Sequence, residues 1–175
     1  MNYATIKWTD IANGEGVRIS LFVSGCTHRC KNCFNEVAWD FAYGNPFDAE
    51  IQEKITRELA SGYIEGLSLL GGEPLEPQNQ EALYSFIKHV RNTYPNKTIW
   101  CYTGYVFDAK RGILKEKHKN TKYTKELISM FDVLVDGPYI EKLKDIRLKF
   151  RGSSNQRVID VQKTLEMGEC ILYLD

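Results

Sequence analysis

Short apolar runs punctuate the chain: Ile19 to Ser24, Leu67 to Leu70, Ile99 to Tyr102 and Val133 to Val135. Each is compact, apolar and rich in β-branched or aromatic residues, the pattern of a buried strand. Between them the apolar period lengthens to three and four residues. Asp48 is a plausible N-cap for a helix carrying Ile51, Ile55 and Leu59 on one face, with Gly62 as its stop. Leu83, Phe86, Ile87 and Val90 mark a second helix that Pro95 ends, and Thr124 is expected to cap a third through Leu127, Ile128 and Phe131. Val158 to Val161 and Ile171 to Leu174 are later strand candidates. Phe107 to Tyr123, rich in lysine from Lys115 onward, reads as a solvated loop or frayed helix.

Strands alternating with helices predict parallel β-α units, in which ligand groups collect at the carboxyl ends of the strands. The loops fit: Cys26 to Cys33 follow the first strand, Gly71 to Pro74 the second, Thr103 to Tyr105 the third and Asp136 to Pro138 the fourth. A chain of 175 residues is too short for a complete eight-unit barrel. The expected fold is therefore α/β, a partial, open parallel β/α barrel, built as one domain over residues 1–175.

Charge and composition narrow the partners. Lys plus Arg and Asp plus Glu are each 23, so there is no basic field to concentrate nucleic acid, and none is expected as a partner. Met1 to Ile11 has no apolar targeting core and no long apolar run follows, which predicts a cytoplasmic protein without membrane partners. Five cysteines, of which Cys26, Cys30 and Cys33 are clustered while Cys101 and Cys170 stand apart, do not resemble a disulfide framework and suit a reducing compartment.

The three clustered thiols form a C-x3-C-x2-C array. Three thiolates can hold three irons of a 4Fe-4S cluster and leave the fourth open, whereas structural zinc closes all four positions. Arg29 and Lys31 are expected to lower the thiol pKa values. Spacing alone leaves zinc open, with His28 as a fourth ligand, and equally three thiols with no metal. Gly71-Gly72-Glu73-Pro74 allows close approach of a ligand to backbone, and its Glu73 carboxylate suits an α-amino group; the plain alternative is a tight turn with a solvated glutamate. Cys101 and Cys170 read as inert, and Trp8, Trp39 and Trp100 as packing residues. Arg151 to Arg157 reads either as a docking or ligand element or as an ordinary turn whose arginines pair with Asp136 or Glu141.

Taken together, the cysteine array, Phe34 just past it and the Gly-Gly-Glu-Pro turn resemble the radical S-adenosylmethionine (radical SAM) superfamily. The runs Leu21 to Cys26 and Cys33-Phe34-Asn35, with Trp39, Thr103-Gly104-Tyr105, Asp136-Gly137 and Arg151-Gly152-Ser153-Ser154-Asn155-Gln156-Arg157, resemble the activating proteins of anaerobic (class III) ribonucleoside-triphosphate reductases. The resemblance implies a fold of the radical SAM type and a 4Fe-4S cluster on Cys26, Cys30 and Cys33. It implies SAM contacts from Asn32, Cys33 and Phe34 on the adenine side, from Gly71, Gly72 and Glu73 at the amino group, and from Asp136 at the carboxylate or a nearby cation, with Thr103 and Tyr105 bordering the cavity. It further implies reductive SAM cleavage, a glycyl radical installed on anaerobic ribonucleotide reductase as protein substrate, and an electron donor such as a flavodoxin. The alternatives are an activase of another glycyl-radical enzyme, radical chemistry on a small molecule such as a deazapurine precursor, and a nonenzymatic metal-binding module for electron transfer or sensing.

Overall fold

A computed structural model describes residues 1–174. In chain order the strands and helices are β1 (Asn2–Asp10), β2 (Val17–Val23), β3 (Asn45–Pro46), α1 (Ala49–Leu59), β4 (Ile64–Gly71), α2 (Pro77–Thr93), β5 (Thr98–Tyr102), β6 (Phe107–Asp108), β7 (Ile113–Leu114), α3 (Thr124–Ser129), β8 (Val133–Asp136), β9 (Arg157–Asp160), α4 (Val161–Met167) and β10 (Leu172–Leu174). The main sheet has eight strands in the order β10-β9-β8-β5-β4-β2-β1-β3. Its centre, β2-β4-β5-β8, is parallel, as the alternating pattern predicts. Both flanks are antiparallel, through β1 and β3 on one side and β9 and β10 on the other. The architecture is thus mixed α/β, with no closed barrel among the described residues. Among them, too, no helix is long and apolar enough to cross a membrane.

The parallel strands bury both faces, which is why they read as continuous apolar runs. One face (Ile19, Leu21, Val23, Leu67, Leu69, Ile99, Cys101 and Leu134) joins Ile55 and Leu59 of α1, Leu83, Phe86, Ile87 and Val90 of α2, and Leu127 and Ile128 of α3 in one core. Full burial of each large aliphatic side chain is worth about 1.5–3 kcal/mol, so this layer fixes the parallel register. The Asp48 carboxylate accepts from Ile51 N at 3.1 Å and caps α1 as expected.

The opposite face carries a cation that the sequence pattern does not announce. Arg18 is fully buried and has no carboxylate partner among the described residues. Its guanidinium donates instead to Ser68 Oγ (2.7 Å), Thr98 Oγ1 (2.8 Å) and the carbonyls of Leu67, Thr98 and Glu15 at 2.8–3.1 Å, and it lies over Trp100 at 5.5 Å. Burial pushes its pKa down to about 10. Gly66 makes room in this layer, since a Cβ there would stand 1.9 Å from Thr98 O.

Several expectations need correction. β1 has only a weak apolar alternation, and it is its pairing with β2 that makes it a strand. Thr124 is not the cap of α3 but its first residue; its hydroxyl donates to Gln80 Oε1 (2.6 Å) and accepts from Thr121 N (2.7 Å), and the helix stops at Ser129. Val161 begins α4 instead of ending β9, because Asp160 caps that helix through Lys163 N at 3.1 Å. The stretch from Phe107 to Tyr123 folds as the β6-β7 pair and a short 3-10 helix at Lys117–Lys119, with Phe107 and Leu114 buried.

Candidate functional site

The carboxyl ends of β2, β4 and β5 open on one cavity of about 560 Å³, and Cys26, Cys30, Cys33, Gly71, Gly72 and Glu73 all line it. Asn32, Phe34, Thr103 and Gly104 line it too. Tyr105 lies behind this wall, its ring 4.3 Å from that of His28.

The cysteine loop leaves β2 through Gly25, at φ +94°, where a Cβ would run into the Phe41 ring at 2.2 Å. Arg29 and Asn32 also adopt left-handed backbone (φ 48° and 59°), which folds the loop tightly enough to turn its thiols toward one space. Backbone bonds fasten the loop to the second turn: Glu73 N donates to Gly25 O (2.8 Å) and Gly72 N to Val23 O (2.7 Å). At Gly72 a Cβ would stand 2.6 Å from Gly25 O, so the two loops touch only because this residue is glycine.

Glu76, which sequence reasoning passed over, is a buried hub. It accepts from Thr27 N (2.8 Å), from the Thr27 hydroxyl, from Tyr105 OH (2.8 Å) and from Lys119 Nζ (3.0 Å). Lys119 also donates to Thr27 Oγ1 at 2.7 Å. This lysine belongs to the segment expected to be solvated, yet its side chain is 16% exposed. Burial alone raises the Glu76 pKa, but the bonds from Thr27, Tyr105 and Lys119 outweigh it and hold the carboxyl below its ordinary range. A glutamate one residue before the helix-starting Pro77 was the available signal.

The thiols do not behave as expected. Burial pushes Cys26 up to about 12, and burial together with the neighbouring Cys33 pushes Cys30 up. Arg29 lies over the Trp39 ring at 5.4 Å and Lys31 is exposed, so neither cation offsets the burial. Deprotonation therefore calls for the positive charge of a metal. Among the described residues no three His, Cys, Asp or Glu side chains converge as one metal ion would require. A 4Fe-4S cluster takes one thiolate on each of three irons, which sets its sulfurs further apart than the ligands of a single ion, and Cys26, Cys30 and Cys33 all line one cavity. The donor set, three soft sulfurs facing one space, fits an iron-sulfur cluster.

Glu73 is 1% exposed rather than solvated. Its Oε1 accepts from Leu75 N (2.8 Å), and its Oε2 accepts from Gly104 N (2.8 Å) and contacts His28 Nε2 (2.9 Å). Burial lowers the His28 pKa, but the Glu73 bond more than reverses that, leaving it raised. His28 is thus committed to a carboxylate and not held out as a fourth metal ligand. Phe34 stands at the rim, 86% exposed.

Asp136, expected at the SAM carboxylate or a nearby cation, does not line the cavity in this structure. It is buried outside the cavity lining, where Arg157 engages both its oxygens (Nε to Oδ1 2.8 Å) and Phe107 N donates at 2.7 Å. Much of the Arg151 to Arg157 run is likewise engaged in internal hydrogen bonds, although Gly152 and Ser154 are exposed. Gln156 accepts from Gly152 N (2.9 Å) and Ser153 N (3.1 Å) and donates to Gly137 O (3.0 Å), while Asn155 donates to Pro138 O (2.8 Å). Arg151 bonds Gln156 O at 3.0 Å and, with Gly152 and Gln156, still lines the cavity. Cys101 is buried in the core with its thiol pushed well up by burial, whereas Cys170 is half-buried.

Comparison with known proteins agrees with the donor set. Residues 12–159 match the family described as 4Fe-4S single cluster domain, so the chain is of the iron-sulfur class. It is 41% identical over 158 residues to the anaerobic ribonucleoside-triphosphate reductase-activating protein of Haemophilus influenzae, covering 89% of this chain and 96% of that one. It is 38% identical over 160 residues to the protein of that name from Escherichia coli K12 (90% and 97% covered), and 37% over 158 residues to that of Enterobacteria phage T4 (90% and 93%). The chain belongs to the family of anaerobic ribonucleoside-triphosphate reductase-activating proteins.

Proposed function

We propose that this protein is a radical SAM enzyme that installs a glycyl radical on an anaerobic ribonucleoside-triphosphate reductase. The observation that carries the reading is the meeting of three cysteines and the Gly71 to Glu73 turn on one cavity at the ends of parallel strands. Cys26, Cys30 and Cys33 would hold a 4Fe-4S cluster, and SAM would complete it. When bound, the cluster would supply the electron for reductive cleavage of SAM, chemistry that would leave the radical on a glycine α-carbon of the reductase.

The chain's own residues bind and orient. Gly71 and Gly72 let the methionine end of SAM lie against backbone, and the Glu73 carboxylate, already facing His28, would take the ammonium group beside it. Asn32, Cys33 and Phe34 would border the adenine, with the exposed Phe34 ring closing over it. The buried Glu76 hub fixes the residue next to Cys26 and so the position of the cysteine loop. The whole chain, 1–175, would act as one domain of the open radical SAM barrel type, in the reducing cytoplasm, with a flavodoxin-like donor supplying the electron.

The test is anaerobic reconstitution with iron and sulfide, then dithionite and SAM, following 5'-deoxyadenosine. The expected outcome is iron uptake and SAM cleavage, and a glycyl radical in the electron paramagnetic resonance spectrum once the reductase is added. Iron uptake without SAM cleavage would refute the radical SAM assignment. Cleavage without a radical on the reductase would move the substrate elsewhere.

A further inference from the structure

Like charges crowded on a fixed backbone repel one another, and a partner of opposite charge relieves that repulsion. Between Lys110 and Lys125 stand seven Lys or Arg side chains and one carboxylate, Glu116, in a chain whose net charge is zero. Most of this charge faces water: Lys110, Arg111, Lys115, Lys117, Lys122 and Lys125 are exposed. Neighbouring carboxylates offset little of it. Asp108 is taken by Arg111 and Glu126 by Lys88, while the half-buried Glu116 accepts from Val106 N at 3.3 Å.

The segment is also held in place. Asn120 Oδ1 accepts from Leu114 N (2.9 Å) and its Nδ2 donates to Leu114 O (3.0 Å). Gln80 of α2 donates to Lys119 O (2.9 Å) and accepts from the Thr121 hydroxyl (2.7 Å). The cations therefore form a fixed basic face and not a loose charge run.

Its position narrows the partner. Among the described residues none between 105 and 136 lines the cavity, so a molecule seated on this face leaves the cavity free. Yet Lys119 Nζ donates to Thr27 Oγ1 at 2.7 Å, and Thr27 is exposed, outside the cavity lining and one peptide bond from Cys26. The basic face thus adjoins the cysteine loop from outside the cavity. Electron tunnelling falls off steeply with distance, so a protein that reduces a group held on that loop has to dock beside it. The cavity itself is needed for SAM and for the reductase glycine.

Resting on the proposed function, in which the cysteines hold a 4Fe-4S cluster that must be reduced, we infer that the face of residues 110–125 docks an acidic one-electron carrier protein beside Cys26. The carrier's reduced cofactor loses one electron, the cluster gains it, and no bond is made or broken.

The probe is a flavodoxin of net negative charge. The variant reverses three exposed lysines together, Lys117→Glu, Lys122→Glu and Lys125→Glu, and leaves Lys119 and its bond to Thr27 in place. Affinity for oxidised flavodoxin, measured by isothermal titration on metal-free and reconstituted protein at low salt, should fall about tenfold or more, and the wild-type affinity should fall as salt rises. With reduced flavodoxin as electron source, the concentration giving half-maximal 5'-deoxyadenosine should rise by a similar factor. With dithionite, which needs no docking, cleavage should be unchanged. The urea midpoint of the triple variant should not fall, because like charges have been thinned. Lys7→Glu combined with Lys54→Glu, both exposed and on β1 and α1, reverses charge elsewhere and should leave flavodoxin affinity within about twofold of wild type.

Unchanged flavodoxin affinity in the triple variant overturns the assignment, and so does an equal loss in the control pair. A raised half-saturating concentration of the reductase in the dithionite-driven reaction would give the face to the reductase, and duplex DNA bound more tightly than flavodoxin would give it to nucleic acid; either result overturns the carrier. Wild-type protein that cleaves no SAM with dithionite sinks the proposed function and this assignment together. Cleavage with dithionite but no binding of flavodoxin sinks this assignment alone.

Discussion

Replacing Glu76 by alanine tests whether a buried carboxylate holds the cysteine loop in place. The residue is 2% exposed and its carboxylate accepts from Thr27 N, Thr27 Oγ1, Tyr105 OH and Lys119 Nζ. These donors do not lose equally. Thr27 is exposed and recovers water, and Lys119 can extend outward. The Tyr105 hydroxyl, in a residue 4% exposed, cannot recover, which costs about 1–3 kcal/mol. The lost charge-assisted bond to Lys119 adds about 1.5–3 kcal/mol. The sum, about 2.5–6 kcal/mol, brackets the usual cost of about 3–5 kcal/mol for breaking a buried ion pair from one side. With a urea m-value of roughly 2 kcal/mol/M, the midpoint of the metal-free protein should fall by about 1.5–2.5 M. Anaerobic urea unfolding followed by tryptophan fluorescence measures it, and a shift below about 0.5 M would refute the reasoning. Glu76→Gln, which keeps the shape and one acceptor, should lose clearly less.

The same carboxylate predicts a pH dependence. Its folded pKa is depressed, so its stabilising share is fully present above the unfolded value of about 4.3 and is lost as pH falls through the lower folded pKa. The stability gap between parent and Glu76→Gln should therefore be widest at neutral pH and shrink below roughly pH 4 in urea melts; a gap that grows in acid would contradict the sign. Cys30→Ala should abolish iron uptake on reconstitution while Cys101→Ala retains it, as iron and sulfide assays will report. Gly71→Ala should destabilise by upwards of about 2 kcal/mol in the same melts, because φ is +109° and the new Cβ would stand 2.7 Å from Phe22 backbone. Asp136→Ala should cost about 3–5 kcal/mol by stranding Arg157, with SAM affinity measured by dialysis little changed.

Much of this protein is legible in one dimension. The parallel centre of the sheet could be read because its strands are buried on both faces, and burial on both faces leaves continuous apolar runs such as Leu67 to Leu70. The three clustered thiols and the Gly71 to Glu73 turn could be read because their spacing is local: each sits within one loop at the end of one strand. Strand polarity alone then brings those loops to the same end of the sheet.

What the sequence could not announce are the pairings made across the fold. Glu76 meets Thr27 and Lys119 from positions 49 and 43 residues away, and Arg157 reaches Asp136 across 21. Such pairs leave no periodic trace, because a polar residue on a loop looks solvated until another element folds over it. The same holds for the thiols: Arg29 and Lys31 are neighbours in sequence, but burial, a property of the whole fold, decides that Cys26 and Cys30 titrate high. The sequence by itself determined which elements form and which chemical groups stand at the strand ends. Only the tertiary structure decided which of those groups face the cavity and which, like Asp136, are consumed as internal partners, because that choice depends on what each side chain meets once water is excluded.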